Sequence, residues 1–293
     1  MIKQILAISS IVLFSSAISA AEIIPYGSFN YKWSNDENSS GKSYSKLEDN
    51  GSSIGVEIID LGVEGDTITG FAKLEVGVDT DDSGSDTFDS KLAYVGLDSN
   101  MGALSVGRQS HPFADKIGCK TSIFNVYGGS SDWNYGSRSS NSMKYSTTQS
   151  GLTLDTIGIV DGSSTNTNAF DEFEVTISTK LLGSDISVGY ADDVNSDISY
   201  WGVAGSTDLG PLTVSSSYTI YDAATDKYGL EATASYSIFS VGYGDKEGTG
   251  VSYTAGVSHD LNESVSVYAE GEMKDLDSGS DTTSWSIGSK FTF

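Results

Sequence analysis

The chain has 293 residues, 16 basic against 40 acidic and a formal net charge of −24, so it lacks the basic surface that nucleic-acid phosphates demand. Its single cysteine, Cys119, excludes an intrachain disulfide. Only 38% of residues are hydrophobic and three are proline, whereas glycine reaches 33 and tyrosine 16; that balance disfavours a thick apolar core and suits strands with one Gly/Ser/Thr face and one aromatic face.

The first segment reads as an export signal over residues 1–21: Lys3, an apolar stretch from Ile5 to Phe14, then small residues from Ala17 to Ala21. The stretch falls short of the roughly 20 apolar residues a spanning helix needs, so a membrane anchor is set aside. From Ile23 onward the pattern has a period of two. Phe29, Tyr31 and Trp33 oppose Ser28, Asn30 and Lys32, and Ile54, Val56 and Ile58 oppose Ser53, Gly55 and Glu57. Ala72, Leu74, Val76 and Val78 then alternate with Lys73, Glu75, Gly77 and Asp79.

Further strands are predicted over 88–97, 103–109, 142–146, 152–160, 173–181, 185–191, 199–207, 212–221, 228–237, 239–244, 251–258, 265–273 and 282–293. That makes sixteen, with fourteen as the alternative if the weak segments near Ser142 and Asp185 are miscounted. Turns such as 182–184, 208–211 and 260–263 are short, whereas acidic loops such as 79–89 and 274–281 are long.

Alternation alone also fits a sandwich with a packed core. Three features favour lipid: the export signal, the need of any sheet in a bilayer to close on itself, and a last strand ending in Phe291 and Phe293, which resembles the signal read by the outer-membrane barrel assembly machinery. The expected fold is an all-β transmembrane antiparallel barrel over residues 22–293. Girdle aromatics are expected at Tyr26, Trp33, Tyr94, Tyr145, Trp285 and Phe293.

The ordered run Ser52-Ser-Ile-Gly-Val-Glu57, Asp60-Leu-Gly62, Gly70-Phe-Ala-Lys-Leu-Glu75, Phe88, Ala93-Tyr-Val-Gly-Leu97, Gly102, Val106-Gly-Arg-Gln109 and Pro112-Phe113 resembles the first third of the Gram-negative general diffusion porins. The resemblance implies a homotrimer of sixteen-stranded barrels with the third long loop, from Ser110 to about Gly136, folded inward. It assigns Lys91 and Arg138 to basic wall positions, while two further such positions are Ser28 and Ser53 here. The loop lacks the Pro-Glu-Phe-Gly-Gly turn of enterobacterial porins and offers Asp115, Asp132, Lys116 and Lys120.

Strand parity adds Lys73, Glu75, Lys144, Glu172, Glu174, Glu270 and Glu272 to the lumen, as pore-lining charge or as ordinary wetted surface. Arg108 has the apolar parity at a strand end, so it either snorkels or turns into the pore. Catalysis is set aside because Ser258 and His259, as sequence neighbours, face opposite sides. Residues 79–84 resemble the start of a calcium loop, but Ser90 replaces its bidentate Glu, so no cofactor is expected beyond divalent cations loosely held by acidic loops.

The resulting expectation is a passive, cation-preferring outer-membrane channel for small hydrophilic solutes, in contact with lipid and lipopolysaccharide. A substrate-specific channel and a plugged structural or adhesive barrel are the alternatives.

Overall fold

A computed structural model describes residues 21–62, 67–81, 87–129, 131–133, 136–160, 169–194 and 196–293. The expected signal, apart from Ala21, lies outside the described residues. The first strands are β1 (Glu22–Glu37), β2 (Ser43–Asp49), β3 (Ser53–Leu61), β4 (Ile68–Val78), β5 (Phe88–Ser99) and β6 (Gly102–Ser110). A short helix α1 (Pro112–Lys116) and a 3₁₀ turn (Gly118–Lys120) precede β7 (Arg138–Gln149), β8 (Leu152–Ile159), β9 (Glu172–Leu181), β10 (Ser184–Asp193) and β11 (Ile198–Leu209). The series ends with β12 (Leu212–Asp222), β13 (Lys227–Tyr236), β14 (Phe239–Lys246), β15 (Gly250–Asn262), β16 (Val265–Leu276) and β17 (Thr282–Thr292).

All pairings are antiparallel between sequence neighbours, and β1 meets β17 from Ser28↔Thr292 to Asn35↔Trp285, so the sheet has no edge. The seventeen segments make sixteen staves, because β2 and β3 together line one side of β1. Between them the chain kinks at Gly51 (φ +83°), where the Asp49 carboxylate accepts from the N–H groups of Gly51 and Ser52, both at 2.9 Å. Segment β2 was not expected, because Tyr44 and Leu47 have opposite parity and break the period of two.

One rim carries tight turns. At Ser150-Gly151 and Leu182-Gly183 both central residues have positive φ, the twist-matched hairpin geometry. The opposite rim carries the loops, of which residues 111–137 form the longest. Outward side chains such as Leu97 and Val241 stay 57% and 56% exposed, while inward positions hold Ser215, Ser217, Thr219, Thr233 and Thr254. No helix among the described residues is long and apolar enough to cross a membrane; the strands present the apolar band instead.

The buried apolar cluster, Phe113, Ile117, Ala191, Tyr200 and Ala204, sits inside the barrel, where the inward loop meets the wall. Gly189 and Gly202 make room for it. A Cβ on Gly202 would come 2.8 Å from both Phe113 Cζ and Ile117 Cγ2, and one on Gly189 2.9 Å from Phe113 Cδ2.

Two expected girdle residues face the lumen. Tyr26 bonds Glu75 at 2.9 Å, since its parity is that of Ser28 and Asn30. Tyr94 pairs with Lys73 because a bulge at Lys91 reverses the alternation of β5, which also turns Leu92 inward, opposite Glu75. Trp33 and Trp285 do face outward and meet edge to face at 5.2 Å.

Candidate functional site: the lumen at the inward loop

The root of loop 111–137 is pinned by His111, whose backbone N–H donates to the Ser137 carbonyl at 3.0 Å. Its wholly buried imidazole bridges two staves, with Nδ1 2.6 Å from Glu174 Oε1 on β9 and Nε2 2.8 Å from Ser139 Oγ on β7. The other Glu174 oxygen accepts from the Phe113 N–H at 2.9 Å. From there Phe113 and Ile117 wedge the chain against β10 and β11.

The middle of the loop is held by wall carboxylates. Glu270 on β16 accepts from the N–H groups of Asn125 (2.6 Å) and Val126 (2.9 Å), Glu272 from that of Gly128 (3.3 Å), and Glu231 on β13 from Gly129 and from Thr121 Oγ1. Asn50 reaches the Asn125 carbonyl, and Asp36 accepts from the Tyr127 hydroxyl at 2.9 Å. On the return limb Asp132 accepts from Ser217 Oγ at 2.8 Å, and Trp133 donates its indole N–H to the Tyr228 carbonyl at 3.0 Å. Burial pushes the Asp132 carboxyl up to about 6 against the pull of Ser217 and Lys246.

The loop therefore hugs the arc from β7 through β16 to β1 and leaves β3 to β5 as the open wall farthest from its anchors. That open wall is zipped by opposite charges. Lys73 lies 3.4 Å from Glu57, and Lys91 lies 4.0 Å from Glu75 while donating to the Gly51 carbonyl at 2.9 Å. Lys144 joins Asp115 of the loop at 3.8 Å, and Lys116 of the loop joins Asp155 at 3.6 Å. Asp115 stays half-exposed; burial raises its carboxyl, and Lys144 and Lys116 pull it back. Higher up, Lys32 and Lys46 share Glu48.

The expected lumen residues thus divide. Lys73, Glu75, Lys91, Lys116, Lys144 and Asp115 converge between loop and open wall. Lys120 lies in the 3₁₀ turn, and Arg138 is exposed at the start of β7, near enough to draw the Cys119 thiol down while burial pushes it up. Arg108 does not line the pore. It shares the outward face with Ala93, bonding the Ser90 carbonyl and Ser140 Oγ. Glu174, Glu270 and Glu272 have lumen parity, yet they are buried beneath the loop as its hydrogen-bond acceptors. Ser28 and Ser53 stand opposite one another on the lumen face, between the Lys73–Glu57 pair on the tight-turn side and the Lys32–Glu48 pair on the loop side.

Sequence reasoning missed Glu231, Trp133 and His111 as anchors. Parity from Lys227 to Thr233 marks Glu231 as inward, but nothing in the sequence says which inward carboxylate meets the loop. Ser258 and His259 face opposite sides, paired with lumen-facing Tyr268 and outward Val267. The calcium-like segment lies partly outside the described residues, and no group of three or more His, Cys, Asp or Glu residues able to hold a metal occurs among the described ones.

A closed sixteen-stave barrel with its third loop turned inward is the architecture of the outer-membrane porins, and the sequence profile of the Gram-negative porin family matches residues 7–288. The chain belongs to the Gram-negative porin family. This porin resides in the outer membrane. Among solved structures it is similar to a loop-deletion mutant of OmpT, an outer-membrane protein of Vibrio cholerae, with 18% identity, 94% of this chain and 100% of that one covered, and a TM-score of 0.75. Similar, too, are Salmonella typhi OmpF in complex with daunomycin (16% identity, 92% and 97% covered, TM-score 0.74) and a mutant porin of Rh. blastica (18%, 93% and 100%, 0.67). No curated protein matches the porin.

Proposed function

We propose that this porin passes small hydrophilic solutes and ions by passive diffusion, prefers cations and does no chemistry on what it carries. The observation that carries the reading is the placement of the inward loop: it is strapped to one arc of the barrel, while the wall of paired charges on β3 to β5 lies away from those straps. A barrel of this strand number encloses more space than side chains fill. Cation preference is supported by the pairing of wall lysines Lys32, Lys73 and Lys91 with carboxylates, while the loop rim carries further exposed acids such as Asp222, Asp226 and Asp277. Screening within about 8 Å at physiological salt makes that preference weaken as salt rises.

Absence of catalysis is supported by the burial of His111 and the outward turn of His259. A homotrimer is supported by the trimer form described for the structurally similar OmpT. Lipopolysaccharide and loosely held divalent cations suit the acidic rim. The barrel assembly machinery suits the C-terminus, where Phe293 exchanges two hydrogen bonds with Gly27 and Phe291 faces outward in the same seam.

Planar-bilayer recording tests the proposal. Stepwise conductance is expected, with reversal potentials in a salt gradient that indicate cation selectivity. A purified barrel that inserts without conducting refutes the channel, and anion-selective reversal potentials refute the preference.

A further inference from the structure

Far from the charge ladder, at the loop-side end of β11 to β14, the lumen wall carries an aromatic and basic patch. Trp133 of the inward loop lies 5.0 Å from Tyr221 on β12, which lies 5.5 Å from Tyr200 on β11. Over the Trp133 ring stand two ammonium groups, Lys246 at 4.3 Å and Lys227 at 5.5 Å. Both lysines share the lumen face as diagonal neighbours, since Lys227 pairs with Tyr221 and Lys246 with Gly229. Lys246 also donates to the Asp132 carbonyl at 3.1 Å.

Lys32, Lys73, Lys91 and Lys144 each have a carboxylate within 4.0 Å, in a chain where acids outnumber bases by more than two to one. Lys227, by contrast, has no carboxylate within that distance among the described residues and rests on the indole face instead. Two cations gathered on one ring, beside half-exposed Tyr221 and Ile198, set positive charge next to apolar surface, with Asp132 and Glu231 as the carboxylates that act on Lys246. An anion alone finds charge there, and a neutral ring finds only edges to pack on. A solute with both finds complementary groups.

We infer that Lys227, Lys246, Trp133 and Tyr221 form a vestibular subsite for small organic anions that carry an aromatic ring. The subsite rests on the channel reading for its physiological use, but binding itself does not require conduction. Its position on the wall opposite the Lys73 and Lys91 pairs lets it hold an aryl anion in a mouth whose acidic rim otherwise repels anions.

Isothermal titration of the full chain in detergent at low salt, with phenyl phosphate as the probe, tests the subsite. Saturable binding near one probe per chain is expected, with K227Q and K246Q each weakening it about tenfold, as loss of one hydrogen bond to a charged group requires. Inorganic phosphate and phenol should each bind more weakly than phenyl phosphate. Absence of saturable binding, unchanged affinity in the K227Q/K246Q double variant, or phenol binding as tightly as phenyl phosphate would each overturn the inference. Bilayer conductance of the same preparation reads the channel separately, so loss of one does not masquerade as loss of the other.

Discussion

Replacing Glu270 with alanine removes the acceptor that holds the crest of the inward loop. The carboxylate takes the N–H groups of Asn125 and Val126 at 2.6 and 2.9 Å, the Asn125 side chain at 3.1 Å and the Tyr127 N–H at 3.4 Å, and the residue is only 6% exposed. Two short hydrogen bonds to a charged group contribute about 3–6 kcal/mol together. Relief of the buried charge returns part of that, leaving a loss of about 2–4 kcal/mol in the seating of residues 125–127. Of the neighbouring supports, Glu272 is longer and Asn50 neutral, and Asp36 holds only the Tyr127 side chain at 2.9 Å, so the Asn125–Val126 backbone loosens while α1, wedged by Phe113 and Ile117, remains seated. Single-channel recording should show excess open-channel noise and sub-states absent from the wild type. The heat needed to unfold the barrel should stay unchanged, because every strand ladder is intact. Steps as quiet as those of the wild type, with unaltered amplitude, would refute the assignment of Glu270 as a strap.

Asp132 gives a pH dependence of definite sign. Burial raises its folded value to about 6 from 3.8, so the neutral form is the one the packed loop favours; the loop seat weakens as pH climbs from about 4 to 6, by about 3 kcal/mol in all. Trp133 is the lumen-side tryptophan, whereas Trp33, Trp201 and Trp285 face outward, so emission should titrate near pH 6 in the wild type and not in D132N. G202V should push α1 off the wall at a cost of about 1–3 kcal/mol and alter the conductance step, which recordings of the variant would check. K91Q strips Glu75 of its cation, so reversal potentials should move further toward cation selectivity; a shift toward anions would count against the charge-zipper picture. Exposed Cys119 should react with a bulky maleimide from the aqueous phase and lower the conductance, faster as pH rises because burial holds the thiol up.

Much of the barrel was legible because lipid and water impose a period of two on every stave. The same rule fails where the backbone departs from regular pleating. At Lys91 one extra residue turns Tyr94 inward, and neither the bulge nor its position leaves a signal in the residue types of β5. Ser43–Asp49 escaped because it flanks the rim, where neither face is required to be greasy. In the lumen, parity said which carboxylates point inward but not what they meet. Glu174, Glu270 and Lys73 read alike along the chain, yet two are buried under the loop and the third faces water, a distinction created only when residues 111–137 come to lie against the wall.

The dents at Gly189 and Gly202 tie two distant stretches of chain into one unit. A bulky wedge such as Phe113 can be accommodated only where β10 and β11 lack side chains on their inner surface. Pore calibre in this barrel is consequently not a property that the loop carries alone: grafting segment 111–137 onto another scaffold transfers the constriction only if both wall vacancies travel with it.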